Sequence, residues 1–473
     1  MTDATVAPPK RHRTRRFLLA FLMIALLGAI IALLIRRELV ARRFAAVVDR
    51  LDRTDPGWRI EDIEQARASI PDTENSAVAI DAAYAKLVQL PPGLTEILGH
   101  LDEDLTPNVR LTLEQEGDLR DALKLNSLAV PDVLAIADYP RGRHALTHSV
   151  DGFSTLLNHV DRICQVGTRV LDPLGRLAIQ DGDVPRAVTA FQARINLGRS
   201  MRDEPFLISQ LVRASYYRRR AIGALERLLG HASLTPDQLT TVRRELAAEL
   251  ADDPWPVAVR GERAMVNQVF VALNTGLVQV SFLRSFATQT MRPTVTDRAR
   301  DWLRDHVGIE TVQAHAAILD LTTRMVATTS LPWHERLPAV EAIDAEWATT
   351  PEPAPWVRTQ QAMSLFRGLV TEQARLRCAI VAVAIEQYRV KHGDWPTSLT
   401  AIREPLPDDP FTGKPLLFKR TADGVVVYSA GSRRAESVGT TPLDLRDVLP
   451  PNVDVFFRLW DVSKRNQPPK DKP

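Results

Sequence analysis

Residues Phe17–Ile35 read FLLAFLMIALLGAIIALLI, 19 consecutive positions without a charge or a proline. No other stretch restricts the fold so severely. At ~1.5 Å of rise per residue such a run spans about 28 Å as a helix, close to the hydrocarbon thickness of a bilayer. A helix packed on a soluble core keeps a polar stripe, whereas this one has no polar side and Arg clusters flank it at both ends. The run is longer than the roughly 7–15 apolar residues of a cleaved leader, and Arg36 and Arg37 follow it where a small-residue cleavage site would stand. It is therefore expected to be an uncleaved, single-pass transmembrane helix, 17–35. Lys10, Arg11, Arg13, Arg15 and Arg16 precede the span, while Arg36, Arg37, Arg42 and Arg43 follow it with Glu38. The slight bias points to a basic cytoplasmic tail, 1–16, with the bulk of the chain extracytoplasmic (periplasmic) at the cell membrane.

Charge supports this division. The first 43 residues hold nine Lys or Arg against Asp3 and Glu38, which leaves the remainder at −5 out of a net +2. A nucleic-acid-binding body carries a clustered basic stripe, so nucleic acid is excluded as a partner. Of the 60 basic residues only nine are Lys. A GC-rich coding sequence produces that bias by itself, so it is not read as phosphate recognition.

Few β-branched runs and abundant Ala, Leu and Arg place the chain in a mostly α class. Residues 38–53 continue the membrane helix as a stalk until Asp55-Pro56-Gly57-Trp58 breaks it. A helical body over 36–348 follows as an irregular array of α-hairpins. Thr235-Pro236-Asp237 is a strong helix start: a hydroxyl cap, a first-turn proline and an acid. Leu207, Ile208, Leu211, Ser215, Ile222, Leu225 and Leu229 predict one helix stripe. Ile179–Gln192 resembles a tetratricopeptide helix-turn-helix, although no period of about 34 residues repeats. The Pro-rich stretch 349–356 reads as a linker, and a long helix from about Val357 to Lys391 follows. Leu416–Arg420 and Val425–Ser429 read as strands of a β-hairpin joined by a turn ending Asp423-Gly424. This gives a small α+β module, 357–437, and then a Pro-rich polar tail, 438–473, whose end is expected to be disordered.

Gly393 suits the left-handed position that closes a helix, after Lys391 and His392 in its last turn. Trp395-Pro396 then forces an extended path and supplies an apolar anchor. The ordered set Tyr388, Gly393, Trp395, Pro396, Leu399, Asp409, Pro410, Phe411, Gly413, Lys414, Pro415, Tyr428, Ser429 and Gly431 is similar to the globular C-terminal half of type II secretion pseudopilins of the major subunit class. The likeness covers about residues 370–432. It implies a small αβ module on a different anchor and an envelope or secretion partner. The family's apolar helix directly precedes its globular half and usually carries a Glu, which Phe17–Ile35 lacks, so filament assembly by the family's route is not expected. Arg433 and Arg434 stand where the family's calcium loop has acids, so no calcium site is expected.

Signals for chemistry are sparse. His144 and His148, four apart, could share a metal on a helix face, with His159 further on, but no acid completes an H-E-x-x-H pattern. They are weak metal candidates. His334 and Glu335 read as a loop pair, and Asp102, Glu103 and Asp104 as a solvated acidic loop. No catalytic residue or cofactor is assigned. Cys164 and Cys378 sit in helical apolar patterns and read either as a disulfide or, the favoured alternative, as buried free thiols. The leading expectation is a non-enzymatic, membrane-anchored scaffold. A membrane-anchored hydrolase using the histidines and a tetratricopeptide-like peptide receptor are the rivals.

Overall fold

The computed structural model describes residues 11–100, 106–150, 157–280, 308–349, 360–431 and 455–469, together with positions 294, 296, 298, 301, 302 and 304. The expected linker over 350–356, the acidic trio Asp102–Asp104, and Arg433 and Arg434 lie outside the described residues. The chain is mostly helical, with one long apolar N-terminal helix and one small antiparallel sheet near its C-terminus. It divides into two units.

The smaller unit comprises Met1–Trp58, Val266–Asp320 and Thr350–Val357. Its main element is a 44-residue helix, Arg11–Thr54, so the apolar run continues without a break into the expected stalk. From Phe17 to Ile35 every side chain is exposed, and no described residue covers this surface. This is the one helix among the described residues long and apolar enough to cross a membrane. At its far end Leu51, Trp58 and Leu319 form a small core with Phe44, Val47 and Val48 packed against it. His315 is buried between Phe44 (4.5 Å) and Phe270 (5.1 Å). Burial pushes its pKa down to about 3. The neutral ring donates from Nε2 to Asn267 and accepts at Nδ1 from Asn274.

The larger unit comprises Arg59–Met265, Leu321–Thr349 and Arg358–Pro473. Its helices start as the sequence dictates. Thr235 accepts from Gln238 N while Gln238 reaches back to Thr235 N, with Pro236 in the first turn of Pro236–Ala251. Asp172–Gln180 and Val184–Arg199 form a helical hairpin across the Asp181-Gly182 turn, capped by Asp183.

The sheet has strands β1 (Leu417–Thr421), β2 (Gly424–Tyr428) and β3 (Phe456–Trp460) in the order β1-β2-β3, all antiparallel. The expected hairpin is there, with Lys419 opposite Val426. The third strand was not expected: Phe456–Trp460 lies inside what reads as a polar tail. Val425 and Val427 of β2 and Phe457 and Leu459 of β3 are wholly buried. After β3 the chain stays tied down. Asn466 N donates to the Gly230 carbonyl and Gln467 N to the Asn108 carbonyl, and Arg465 pairs with buried Glu386. The disorder expected of Ser463–Pro473 therefore does not extend to Lys464–Gln467.

One core joins this sheet to the body. Phe191, Leu225, Leu239 and Leu246 share it with Val381, Ile385, Val427 and Phe457, across the long Gln360–His392 helix. Residues from both sides of the expected 349–356 boundary thus belong to one unit.

The single stripe expected over 207–229 is interrupted. Leu207–Val212 and Arg219–His231 are α-helical, but Arg213–Arg218 is a π-turn. The wider turn draws Arg213 and Arg218 toward one side, where both are buried with Tyr217; Ile208, upstream of the turn, is 47% exposed. The buried arginines converge on one carboxylate. Glu249, 2% exposed, is met by Arg199 Nε at 2.8 Å, Arg213 Nη2 at 3.1 Å and Arg218 Nη2 at 3.1 Å. Arg213 also pairs with Asp252 at 2.6 Å and Arg199 with Glu245 at 2.8 Å. The three guanidinium groups hold Glu249 far below the usual carboxylate range against its burial. Removing that charge takes the shared carboxylate from three buried cations, of which Arg213 keeps Asp252 and Arg199 keeps Glu245. Glu249→Gln is expected to cost about 3–5 kcal/mol, read as a lowered urea midpoint by tryptophan fluorescence. Asp81→Asn, at the exposed pair with Arg162, is expected to cost ~1 kcal/mol or less.

Candidate functional site

The C-terminal motif residues converge. The Gln360–His392 helix closes on Gly393 (φ +83°), whose N–H donates to the Arg389 carbonyl. Tyr388 packs on His392 with ring centres 4.2 Å apart. Trp395 and Pro396 are buried, and the indole N–H donates to Asp461 Oδ1 while Arg389 lies over the ring at 5.3 Å. Asp409, 1% exposed, organises the turn that follows. Its carboxylate accepts from Phe411 N (2.9 Å), Ser429 Oγ (2.9 Å) and Ala430 N (2.8 Å). Gly431 N donates to Ser429 Oγ, and Gly413 N to the Asp409 carbonyl. Gly413 (φ +66°) also lies against His334, where a Cβ would meet the imidazole at 2.6 Å. Pro410 is buried beside Asp409, Phe411 packs on the core, and Tyr428 ends β2 opposite Leu417 and Phe456. Asp409 thus latches the Asp-Pro-Phe turn to the Ser-x-Gly turn. His334 and Glu335 lie in the first turn of the Trp333–Thr349 helix, not in a loop.

The histidines do not form a helical pair. Residues 140–149 are not helical, because Asn75 takes over their backbone: its Oδ1 accepts from Arg143 N and its Nδ2 donates to the Arg143 carbonyl. His144 is buried, stacked on His159 at 4.5 Å. Burial, then the His159 and arginine charges, push it down to about 3. Its Nε2 donates to Ser200 Oγ, whose own hydrogen goes to the Leu197 carbonyl. His159 faces Glu204 at 2.7 Å and His148 faces Glu64 at 3.3 Å. The two metal candidates therefore serve different partners. Among the described residues no three His, Cys, Asp or Glu groups stand together as a metal site. Both cysteines are free thiols: Cys164 lies 3.2 Å from Tyr217 Oη, and Cys378 is fully buried.

The feature that sequence reading passed over is an open cavity of about 700 Å³ in the larger unit. Among the described residues Arg176, Arg194, Arg219, Arg220, Arg227 and Arg375 line it with Asp172 and Glu226, and buried Glu372 stands behind Arg375. Two π-turns form part of its wall: Gly167–Leu171 supplies Leu171, and Arg213–Arg218 supplies Ser215 and Tyr216. Thr168 and Tyr216 join the two turns through their hydroxyls at 2.6 Å. The π-turn also sorts the Arg run. Arg213 and Arg218 go inward to Glu249, while Arg219 and Arg220 reach the cavity. Arg220 caps the Tyr216 ring at 4.3 Å and pairs with Asp172 at 2.6 Å. The signal was in the sequence: Tyr216, Arg219, Arg220, Gly223 and Arg227 share one helical face.

Set beside protein-family models, curated proteins and solved structures, the chain matches none of them.

Two outcomes follow from this geometry. Burial pushes Glu226 from the ordinary 4.5 up to about 7, against the pull of the Arg458 N–H and of Arg375 and Arg458. The folded state therefore holds the extra proton, so this contribution to stability is full below pH 4.5 and is lost as pH rises through about 7. Glu226→Gln is expected to reduce the fall in urea midpoint between pH 5 and pH 8 (roughly the span of this titration); an unchanged profile would contradict it. Asp409→Ala removes an acceptor of three hydrogen bonds and is expected to destabilise by about 3 kcal/mol, with amide exchange rising first over 409–431.

Proposed function

We propose that the chain is a single-pass, membrane-anchored, non-enzymatic protein whose folded body is a scaffold outside the cytoplasm. The observation that carries this reading is the bare surface of Phe17–Ile35, in helical continuity with the packed residues around Leu51 and Trp58. A surface of 19 exposed, uncharged residues is intolerable in water and favourable in lipid. Because the helix runs on through Arg36–Thr54, an extended cleavage segment is absent from that stretch, which favours a retained anchor over a leader. The slight excess of basic residues before the span favours a cytoplasmic N-terminus.

The resemblance of residues 370–432 to major pseudopilins extends this reading to an envelope or secretion partner. A long helix closed by Gly393, the Asp409 latch and a hairpin resting on that helix support it. In this chain the module is built into the body's own core, a setting suited to a static scaffold and not to a subunit added to a filament.

After detergent-free lysis the full-length chain is expected to sediment with membranes at high speed and to resist carbonate extraction. Full-length chain in the supernatant would overturn the anchor. An alkaline phosphatase fusion after Pro473 is expected to be active and a fluorescent-protein fusion there dark; the reverse would overturn the topology.

A further inference from the structure

We infer that a pocket at the membrane end of the smaller unit binds the phosphate group of an anionic phospholipid, taken from the leaflet on the body's side. The inference rests on the membrane-anchor reading and adds to it a headgroup that the anchor selects.

Depth is the first ground. Arg36 directly follows the apolar run, and Arg36, Leu39, Val40, Arg43, Gln313 and Ala316 line a pocket of about 280 Å³. Every one of these residues belongs to the smaller unit. From Arg36 to Val40 the helix rises about 6 Å. That is roughly the thickness of one headgroup layer, half the difference between a bilayer's ~30 Å core and its ~40–45 Å total. With Phe17–Ile35 in the hydrocarbon, the pocket therefore stands at the level of the lipid phosphates.

Charge is the second, separate ground. Arg36 is exposed, and its Nη2 donates to Gln313 Oε1 at 3.4 Å. That partner is a neutral amide. Among the described residues no carboxylate pairs with Arg36, and Glu38, two positions on, pairs with Arg42 at 2.7 Å. Gln313 steadies one nitrogen of the guanidinium and leaves its charge to an anion. The planar fork matches phosphate oxygens. A zwitterionic head carries its own cation, which the same guanidinium repels, so an anionic head is preferred. Leu39 (62% exposed), Val40 and Ala316 make the remaining wall apolar, which suits the glycerol backbone between a phosphate and its acyl chains.

The pocket is also fixed in place. Gln313 and Ala316 lie on the Ile309–Ala327 helix. That helix is held on the membrane helix by Phe44 against His315, by the core that Leu51 and Trp58 share with Leu319, and by the ion pair of Arg50 with Asp320. These contacts set where Gln313 stands relative to Arg36. A site held ready at the bilayer edge loses less freedom on binding than a mobile basic segment would.

The test places the full chain in nanodiscs of equal phosphatidylcholine and phosphatidylglycerol and reads, by intact mass spectrometry after release, the lipid that stays on the chain. One phosphatidylglycerol per chain is expected, enriched over the disc composition. Arg36→Gln, at an exposed position, is expected to lower that enrichment about fivefold. Val40→Phe narrows the pocket without touching a charge and is expected to lower it as well. Arg37 is not among the lining residues, so Arg37→Gln removes an equal charge at the same depth and is expected to keep most of the enrichment. The site is overturned if the parent chain retains the two lipids in the disc ratio, or if Arg36→Gln and Val40→Phe both retain phosphatidylglycerol like the parent. It is overturned equally if Arg37→Gln lowers the enrichment as much as Arg36→Gln, or if inorganic phosphate displaces the lipid, which would mark a site for soluble anions. A chain that does not enter the discs overturns the anchor and the site together, whereas a chain that enters without selecting lipid overturns the site alone.

Discussion

The larger unit depends on a buried carboxylate. Glu249 sits at the inner face of Pro236–Ala251 and receives Arg199 from the end of Val184–Arg199 and Arg213 and Arg218 from the π-turn. Three segments are thereby fixed in one register around one anion. Apolar residues of similar volume could fill this space at no loss of stability, because desolvating charges is expensive. What apolar packing would not supply is direction. Arg218 has Glu249 as its carboxylate partner, so a slide of the π-turn against Pro236–Ala251 leaves a buried charge without it. The network specifies which packing the helices adopt, while Leu225, Leu239 and Val381 supply the burial.

The π-turn follows from the same demand. Along a regular helix Arg213 and Arg218, five residues apart, would point about 140° away from each other. One widened turn lets Arg213 and Arg218 both reach Glu249 and releases Arg219 and Arg220 to the opposite side. The structural network and the cationic cavity are therefore two faces of one six-residue irregularity. Gly167–Leu171 repeats the device on the neighbouring wall. Widened turns often mark binding sites because they aim side chains that regular periodicity would bury or disperse.

This explains how much of the molecule could be read from its sequence. The membrane-length helix, the Asp55 break, the Thr235 cap, the Gly393 stop and the Asp423-Gly424 hairpin were legible, because each rests on local chemistry within a few residues. The stripe over 207–229 was misread where local periodicity failed: nothing within that window shows that a Glu 30 or more positions away will pull two arginines inward. β3 was missed because proline and charge on both sides outweighed Phe456-Phe457-Arg458-Leu459-Trp460, whose pairing is non-local. The histidine spacing suggested a helix because Asn75, which holds that segment extended, lies far upstream. The cavity has the same origin, since its arginines come from four separate segments.

The C-terminal strand shows what this non-local construction does for stability. β2 is apolar throughout and buried at four of its five positions, so it needs cover on both faces and both edges. β1 covers one edge and β3 the other, and without β3 an open edge of Val425–Val427 would invite pairing with another chain. The segment that closes the edge is then fastened to the body: Arg465 to Glu386, Asn466 to Gly230 and Gln467 to Asn108. Arg458, on the same strand, pairs with Asp423 at the hairpin and donates its N–H to Glu226 beside the cavity. That hydrogen bond fastens the last strand of the sheet to the Arg219–His231 helix across 232 residues of sequence.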